Sequence, residues 1–125
     1  MAIHRMVIQG KFPSLNELID ANRSHRQKGN SLKRKSQHEI SLAIMDQMRI
    51  HIDKPIFIHY RFYEPNKKRD LDNISGFFHK VFQDALVECH VIKNDNWQHI
   101  VGFSDEFFVD NKHPRIEVEL KEVKS

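Results

Sequence analysis

A chain of 125 residues has room for one domain with a modest core. Its 39% hydrophobic and 30% charged residues are ordinary for a globular protein, and no apolar run approaches the roughly 20 residues of a membrane-spanning helix. The N-terminal sequence lacks the apolar core of a signal peptide, and the single Cys89 excludes an intrachain disulfide. We therefore expect a cytoplasmic protein without a membrane partner. The scattered histidines and the lone cysteine lack zinc-ligand spacing.

The net charge of +3 is unevenly distributed along the chain. Residues 1–83 carry 15 Lys and Arg against 8 Asp and Glu, whereas residues 84–125 carry 5 against 9. The segment 21–38 contains six Lys and Arg residues and no acid. Such a segment is typical of a surface that binds nucleic acid phosphates, although a solvated helix face or a mobile loop explains it equally well.

Hydrophobic periodicity predicts both strands and helices. Strands are expected at 3–9, 56–63, 97–109 and 115–123. One helix is expected to start at the capping-box sequence of Ser14 and a longer one to cover 36–52, with an irregular stretch around 28–30. The order βαβαββ predicts a single α+β domain over 1–125, in which helices pack on one mixed four-stranded sheet.

The clearest predicted helix begins at Asp70, a good N-cap residue. Its apolar side chains recur at helical spacing, at Ile74, Phe77, Phe78, Val81, Phe82, Ala85 and Leu86. Trp97, which follows the polar turn after this helix, is expected to pack against that turn, because large aromatic residues are usually well buried. No partner for His79 can be identified from the sequence.

Two acids, Asp70 and Asp72, lie in the first turn of this helix, directly after the basic run 67–69. Acidic residues at a helix start usually serve as a cap or complement the helix dipole, and this structural role is the commoner one. Carboxylates are also the oxygen ligands that Mg²⁺ prefers, and adjacent cations suit a phosphate substrate. The pattern therefore also indicates a metal site of a phosphodiesterase.

The polar face of the same helix carries further candidates. Asp72, Gly76 and Lys80 lie about one turn apart, opposite the phenylalanines. Glycine inside a helix costs about 1 kcal/mol relative to alanine, which close approach of a partner backbone or a ligand at Gly76 would explain. Lys80 is placed to neutralise a phosphate, and an exposed solubilising lysine is the alternative. Asp95 lies in a polar turn and is either a third acid or an ordinary turn residue.

These motifs together resemble the RusA family of Holliday junction resolvases. The resemblance rests on KRDLDN at 68–73, DAL at 84–86 and ND at 94–95, in that order, and more weakly on PSLN at 13–16. It implies a homodimeric, Mg²⁺-dependent endonuclease that binds four-way DNA junctions and makes paired cuts on strands of like polarity. No small-molecule cofactor is expected besides the metal.

The resemblance also implies roles for single residues. Asp70, Asp72 and Asp95 match the essential acids of the family and are the expected metal ligands. The lysine that the family carries one turn after the second aspartate is Gly76 here, so Lys80 is the expected catalytic lysine. The step from Asp72 to Asp84 is about four residues longer than in the simplest members, which one extra helical turn absorbs. Asn94 replaces an acid of the family and retains an oxygen.

Ten residues are expected to contact DNA: Arg23, Arg26, Lys28, Lys33, Arg34, Lys35, Lys67, Lys68, Arg69 and Asn73. The sequence is also compatible with two alternative functions. One is a nuclease that acts on flaps, forks or other branched DNA. The other is a basic DNA-binding protein without catalysis, for which Asp70→Asn would leave binding intact or strengthen it.

Overall fold

The computed structural model describes residues 2–124, in which helices cover one face of a four-stranded sheet. The elements in chain order are β1 (Ile3–Gln9), α1 (Leu15–Ser24), α2 (Arg26–Gln47), β2 (Ile56–Glu64), α3 (Leu71–Glu88), β3 (Ile100–Val109) and β4 (Arg115–Glu122). No helix within residues 2–124 is both long enough and apolar enough to cross a membrane.

The sheet is mixed, with the strand order β1-β4-β2-β3. β4 is antiparallel to both β1 and β2, whereas β3 is parallel to β2. Register aligns Ile58 of β2 with Phe103 of β3 and Glu64 with Val109, so both strands end at the same edge. The predicted α+β fold with one mixed four-stranded sheet is confirmed, and the first crossover contains two helices.

The core lies between the sheet and the helices, as the alternation in β2 predicts. Tyr60 and Phe62 of β2 are fully buried against the apolar face of α3. The Tyr60 ring meets Phe78 and Phe82 edge-on, with centroids 6.0 and 5.8 Å apart, an arrangement that aromatic pairs prefer. Burial raises the pKa of Tyr60 far above its ordinary value, so its hydroxyl stays protonated and accepts from the Gln83 amide.

Within residues 2–124, no helix covers the opposite face of the sheet, which carries charged side chains instead. Arg5 of β1 donates to Glu119 of β4 over 2.7 Å, and Arg61 of β2 lies 3.3 Å from Glu106 of β3. The hydrogen bond from Arg5 holds the pKa of Glu119 below its ordinary value. This polar face explains why helices cover only one side of the sheet.

The predicted irregular stretch around 28–30 is wrong, because α2 begins at Arg26 and continues through it. His25 has an extended backbone, and its Nδ1 accepts from the Gln27 amide, which caps the helix. Gly29 is buried against the Asn22 side chain of α1. Tertiary packing of α1 on α2 therefore stabilises a segment whose own sequence is mostly polar.

Two predicted element ends are also wrong. α2 ends at Gln47 rather than at residue 52, and at its C-terminal end the Met48 amide donates a hydrogen bond to the Ile44 carbonyl. β3 begins at Ile100 rather than at residue 97, because a turn precedes it. In that turn the Asn96 carbonyl accepts from the amides of both His99 and Ile100.

Candidate active site

Asp70 and Asp72 lie where β2 has ended and α3 begins. Asp70 occupies the predicted N-cap position with an extended backbone, but its carboxylate makes no capping hydrogen bond in the described chain. Asp72 lies in the first turn, and both side chains are exposed. The usual capping role therefore does not account for Asp70, and both carboxylates are accessible to a ligand.

The loop before Asp70 is fixed by Arg69. Its Nε and Nη2 donate to the two carboxylate oxygens of Glu64, each over 3.0 Å, and its Nη1 donates to the Phe12 carbonyl over 2.8 Å. Glu64 is buried, so this bidentate pair is shielded from water. Arg69, expected to contact DNA, instead has its donors bound within the protein and holds the start of α3 in place.

Asn73 is also bound within the protein. Its Oδ1 accepts from the Asn16 amide over 2.8 Å. Asn16 is in the first turn of α1, whose N-terminus is capped by the Ser14 hydroxyl over 3.1 Å to the Glu17 amide. The side chain of Asn73 therefore joins the N-terminal ends of α1 and α3.

A cleft of about 580 Å³ opens beside Asp70. Its lining includes Lys67, Asp70 and Leu71 around the start of α3, and Phe108 and Val109 at the end of β3. The cleft thus places an exposed carboxylate and an exposed ammonium side by side, as a phosphodiester substrate requires.

Asp95 lies beside the middle of α3 and does not line this cleft. Its Oδ2 is 4.0 Å from Nζ of Lys80, which also donates to Asp84 over 3.2 Å. Lys80 is eight residues after Asp72, which is roughly 12 Å along the helix axis. Asp95 lines a separate cleft with Gln83, Trp97 and the first half of β3, and that cleft shares no residue with the cleft at Asp70.

The expected metal ligands Asp70, Asp72 and Asp95 are not gathered into one cluster in the part of the chain that the structure describes. Among residues 2–124, no group of three or more His, Cys, Asp or Glu side chains is arranged to hold a metal ion. Asp70 and Asp72 lie at the start of α3, whereas Asp95 lies beside Lys80, near the middle of the helix.

The basic segment is a preformed surface at the junction of α1 and α2. All six of its expected DNA contacts are exposed: Arg23, Arg26, Lys28, Lys33, Arg34 and Lys35. Lys67 and Lys68 are exposed in the loop before α3. Of the ten expected DNA contacts, these eight are free to reach a phosphate, whereas the side chains of Arg69 and Asn73 are bound internally.

Gly76 faces α1 rather than a ligand. A Cβ atom at Gly76 would lie 3.4 Å from the Leu15 side chain, which is ordinary van der Waals contact. The close neighbour expected from the sequence is therefore a side chain of α1, and alanine fits this position as well.

The sequence analysis did not predict a pair formed by His79 of α3 and Asp105 of β3. His79 Nε2 lies 2.7 Å from Oδ1 of Asp105, and its ring lies between Tyr60 and Phe103, with centroids 4.5 Å from each. The alternation of β3, which places Asp105 on the same face as Phe103, was the signal that could have found it. The expected packing of Trp97 is wrong, because the side chain is 92% exposed.

Comparison with known proteins agrees with the motif at 68–73. A search of the curated proteins found no match. Residues 20–121 match the model of a protein family described as endodeoxyribonuclease RusA, and this range contains α2, β2, α3 and β3 together with Asp70, Asp72 and Asp95. The match covers far more than half of the chain, and the protein therefore belongs to the RusA endodeoxyribonuclease family.

Proposed function

We propose that this protein is a Mg²⁺-dependent, structure-selective endodeoxyribonuclease that resolves four-way DNA junctions by paired, symmetric cuts during recombination and repair. It acts as a homodimer on cytoplasmic DNA, with Asp70, Asp72 and Asp95 as metal ligands and Lys80 as the catalytic lysine. The observation that carries the proposal is the family match over residues 20–121, within which Asp70 and Asp72 are exposed beside an open cleft.

The charges of the chain support a substrate with a phosphate backbone. Lys67 and Lys68 are exposed shortly before Asp70 in the chain, and a second group of exposed cations lies at the start of α2. Exposed carboxylates repel phosphate, so an acidic pair beside a DNA-binding surface needs a cation to accept the substrate. This argument favours Mg²⁺ dependence over metal-free hydrolysis.

Junction cleavage by the parent protein and by Asp70→Asn tests the proposal. With Mg²⁺ and a synthetic four-way junction, the parent is expected to give paired, symmetric nicks, and Asp70→Asn is expected to give none. Asp46→Asn is the matched control, because Asp46 is an exposed aspartate on α2. Removing Mg²⁺ with a chelator is expected to abolish cleavage but not junction binding.

Two outcomes would replace the proposal by its alternatives. Cleavage of flaps or forks but not of four-way junctions would show a nuclease for other branched DNA. Junction binding without cleavage by the parent, with equal or tighter binding by Asp70→Asn, would show a DNA-binding protein without catalysis.

A further inference from the structure

Trp97 is the single tryptophan of the chain, and it is 92% exposed. Tryptophan residues are usually well buried, because the indole gains more than most side chains from leaving water. Trp97 follows Asp95 by two residues, in the turn 93–99 between α3 and β3. An indole that the fold leaves in water beside an expected metal ligand is a candidate contact for the substrate.

The turn 93–99 holds Trp97 in place through Asn96. The Oδ1 atom of Asn96 accepts from the Gln98 amide over 3.1 Å and lies 2.9 Å from Nδ1 of His99. The Asn96 carbonyl accepts from the His99 amide over 3.0 Å. These hydrogen bonds join the residues on either side of Trp97. A side chain on a preformed turn loses little backbone freedom when a ligand binds, so the indole is presented in advance.

The surface beside the indole combines apolar and cationic groups. A cleft of about 300 Å³ next to Trp97 is also lined by Asp95 and by Phe103, which is 51% exposed. Lys80, whose Nζ lies 4.0 Å from Oδ2 of Asp95, is exposed, and so is Lys93 in the turn 93–99. Surfaces that bind unpaired nucleotides combine aromatic faces for the bases with cations for the phosphates. This composition favours a nucleic acid over an apolar protein partner, in agreement with the endodeoxyribonuclease family.

An exposed indole discriminates between branched and continuous DNA. In a continuous duplex, both faces of a base are covered by its neighbours in the stack. A base leaves the stack at the least cost in free energy where it is unpaired, mismatched or single-stranded, and a branch point interrupts the stack. Every base has a π face, so stacking on tryptophan selects for the structure of the DNA rather than for its sequence.

We propose that Trp97 stacks on a base that is unstacked at the branch point of the DNA substrate, and that this contact favours branched DNA over continuous duplex. The inference rests on the proposed function, because it places that base beside Asp95 and Lys80. The stacked base then fixes the position of its strand next to residues expected to act in cleavage. Trp97 is in this role a residue that determines specificity and takes no part in the chemistry.

Because the chain has a single tryptophan, its fluorescence reports the contact directly. A four-way junction and a duplex of equal length are titrated into the protein in the presence of a chelator, which is expected to prevent cleavage. The selectively excited indole emission is expected to be strongly quenched by saturating junction and little changed by saturating duplex, because stacking on a base quenches the indole. Equal quenching by both DNAs, or quenching by neither, would overturn the inference.

Substitutions of Trp97 measure the size of the contact. Trp97→Ala is expected to bind the junction about 5- to 100-fold more weakly than the parent, which is the effect of losing one base–aromatic stack, and to bind the duplex equally well. Trp97→Phe, which keeps an aromatic face, is expected to retain most of the junction affinity. The slope of log K against log salt concentration is expected to stay unchanged, because no phosphate contact is lost. Parental junction affinity of Trp97→Ala, or an equal loss of duplex affinity, would overturn the inference.

Leu42→Ala is the matched control, because Leu42 is an apolar residue on α2 that is 54% exposed. It is expected to bind junction and duplex as the parent does, and circular dichroism is expected to show the parental fold for every variant, since both positions are exposed. A second copy of the chain is the alternative cover for the indole. Acrylamide quenching and sedimentation of the DNA-free protein separate the two, because an indole that acrylamide does not reach in the assembled protein would overturn the inference.

The two proposals fail in different ways. Parental junction affinity of Trp97→Ala would overturn the role of Trp97 even if the parent cleaves junctions. A parent protein that cleaves no branched DNA would overturn the proposed function, and the fluorescence titration, which needs no cleavage, would still decide whether Trp97 stacks on a base.

Discussion

Arg69→Met removes one partner of the buried ion pair that holds the loop before α3. The Arg69 and Glu64 side chains are 13% and 9% exposed, and methionine provides none of the three hydrogen bonds that Arg69 donates to Glu64 and Phe12. Breaking a buried pair by removing one partner costs about 3–5 kcal/mol, because the remaining charge is left uncompensated. Total stabilities of domains are about 5–15 kcal/mol, so the variant loses a large share.

The magnitude predicts a clear shift in melting temperature. An unfolding entropy of about 2.1 cal/mol/K per residue gives a chain of this length a fall in Tm of about 10–20 °C. Urea unfolding followed by circular dichroism gives the free energy directly. Replacing both partners, as in Glu64→Leu with Arg69→Met, is expected to lose less than Arg69→Met alone, because no charge is left buried.

Arg5→Met provides the matched control for this prediction. Arg5 also forms an ion pair, with Glu119, but its side chain is 69% exposed, so its loss costs at most about 1 kcal/mol. A loss below about 1 kcal/mol for Arg69→Met, or one equal to that of Arg5→Met, would refute the argument from burial. Reduced DNA affinity of Arg69→Met at unchanged stability would show instead that Arg69 contacts DNA.

Three further predictions concern charge and helix stability. The double variant Lys67→Ala with Lys68→Ala is expected to bind the junction more weakly, and the slope of log K against log salt concentration is expected to become shallower by about 2. Fluorescence anisotropy at several salt concentrations measures this slope, and an unchanged slope would show that neither lysine neutralises a phosphate. Gly76→Ala is expected to raise the free energy of unfolding by about 0.4–1 kcal/mol, because a Cβ fits at this position and alanine reduces the conformational freedom of the unfolded chain. A lower free energy of unfolding in urea would show that the contact between α1 and α3 does not accommodate the added methyl group. Because Arg5 lowers the pKa of Glu119 in the folded protein, Glu119 stabilises the fold above its ordinary pKa, and this contribution disappears as pH falls through the lowered value. The urea midpoints of the parent and Glu119→Gln should therefore differ most above about pH 5 and converge in acid, and a difference independent of pH would contradict this.

The elements with strong periodicity could be predicted from the sequence. The apolar spacing in α3 and the alternation in β2 identify the type of each element and the side that it buries. The structure buries the residues that these patterns select. The start of α2 could not be predicted, because polar residues dominate it and its packing against α1, where Gly29 lies close to Asn22, leaves no periodic signal in the sequence.

The candidate site shows a different limit of sequence reasoning. The spacing of Asp70 and Asp72 reliably places them in one helical turn. For Asp95, a polar turn showed only that the chain could reverse, and the return brings it to Lys80 rather than to Asp72. Whether distant acids meet depends on the path of the chain and on the number of chains, and motif spacing contains neither.

The helical start of α2 has a thermodynamic consequence for complex formation. If a basic segment became ordered only on contact with DNA, its folding would cost about 2–5 kcal/mol of the interaction energy, and binding would show a large negative heat-capacity change. Here Gly29 is already packed on α1 and the cations project from a formed helix. Calorimetric titration with a duplex arm should therefore give only a small heat-capacity change, with affinity governed by the release of counterions.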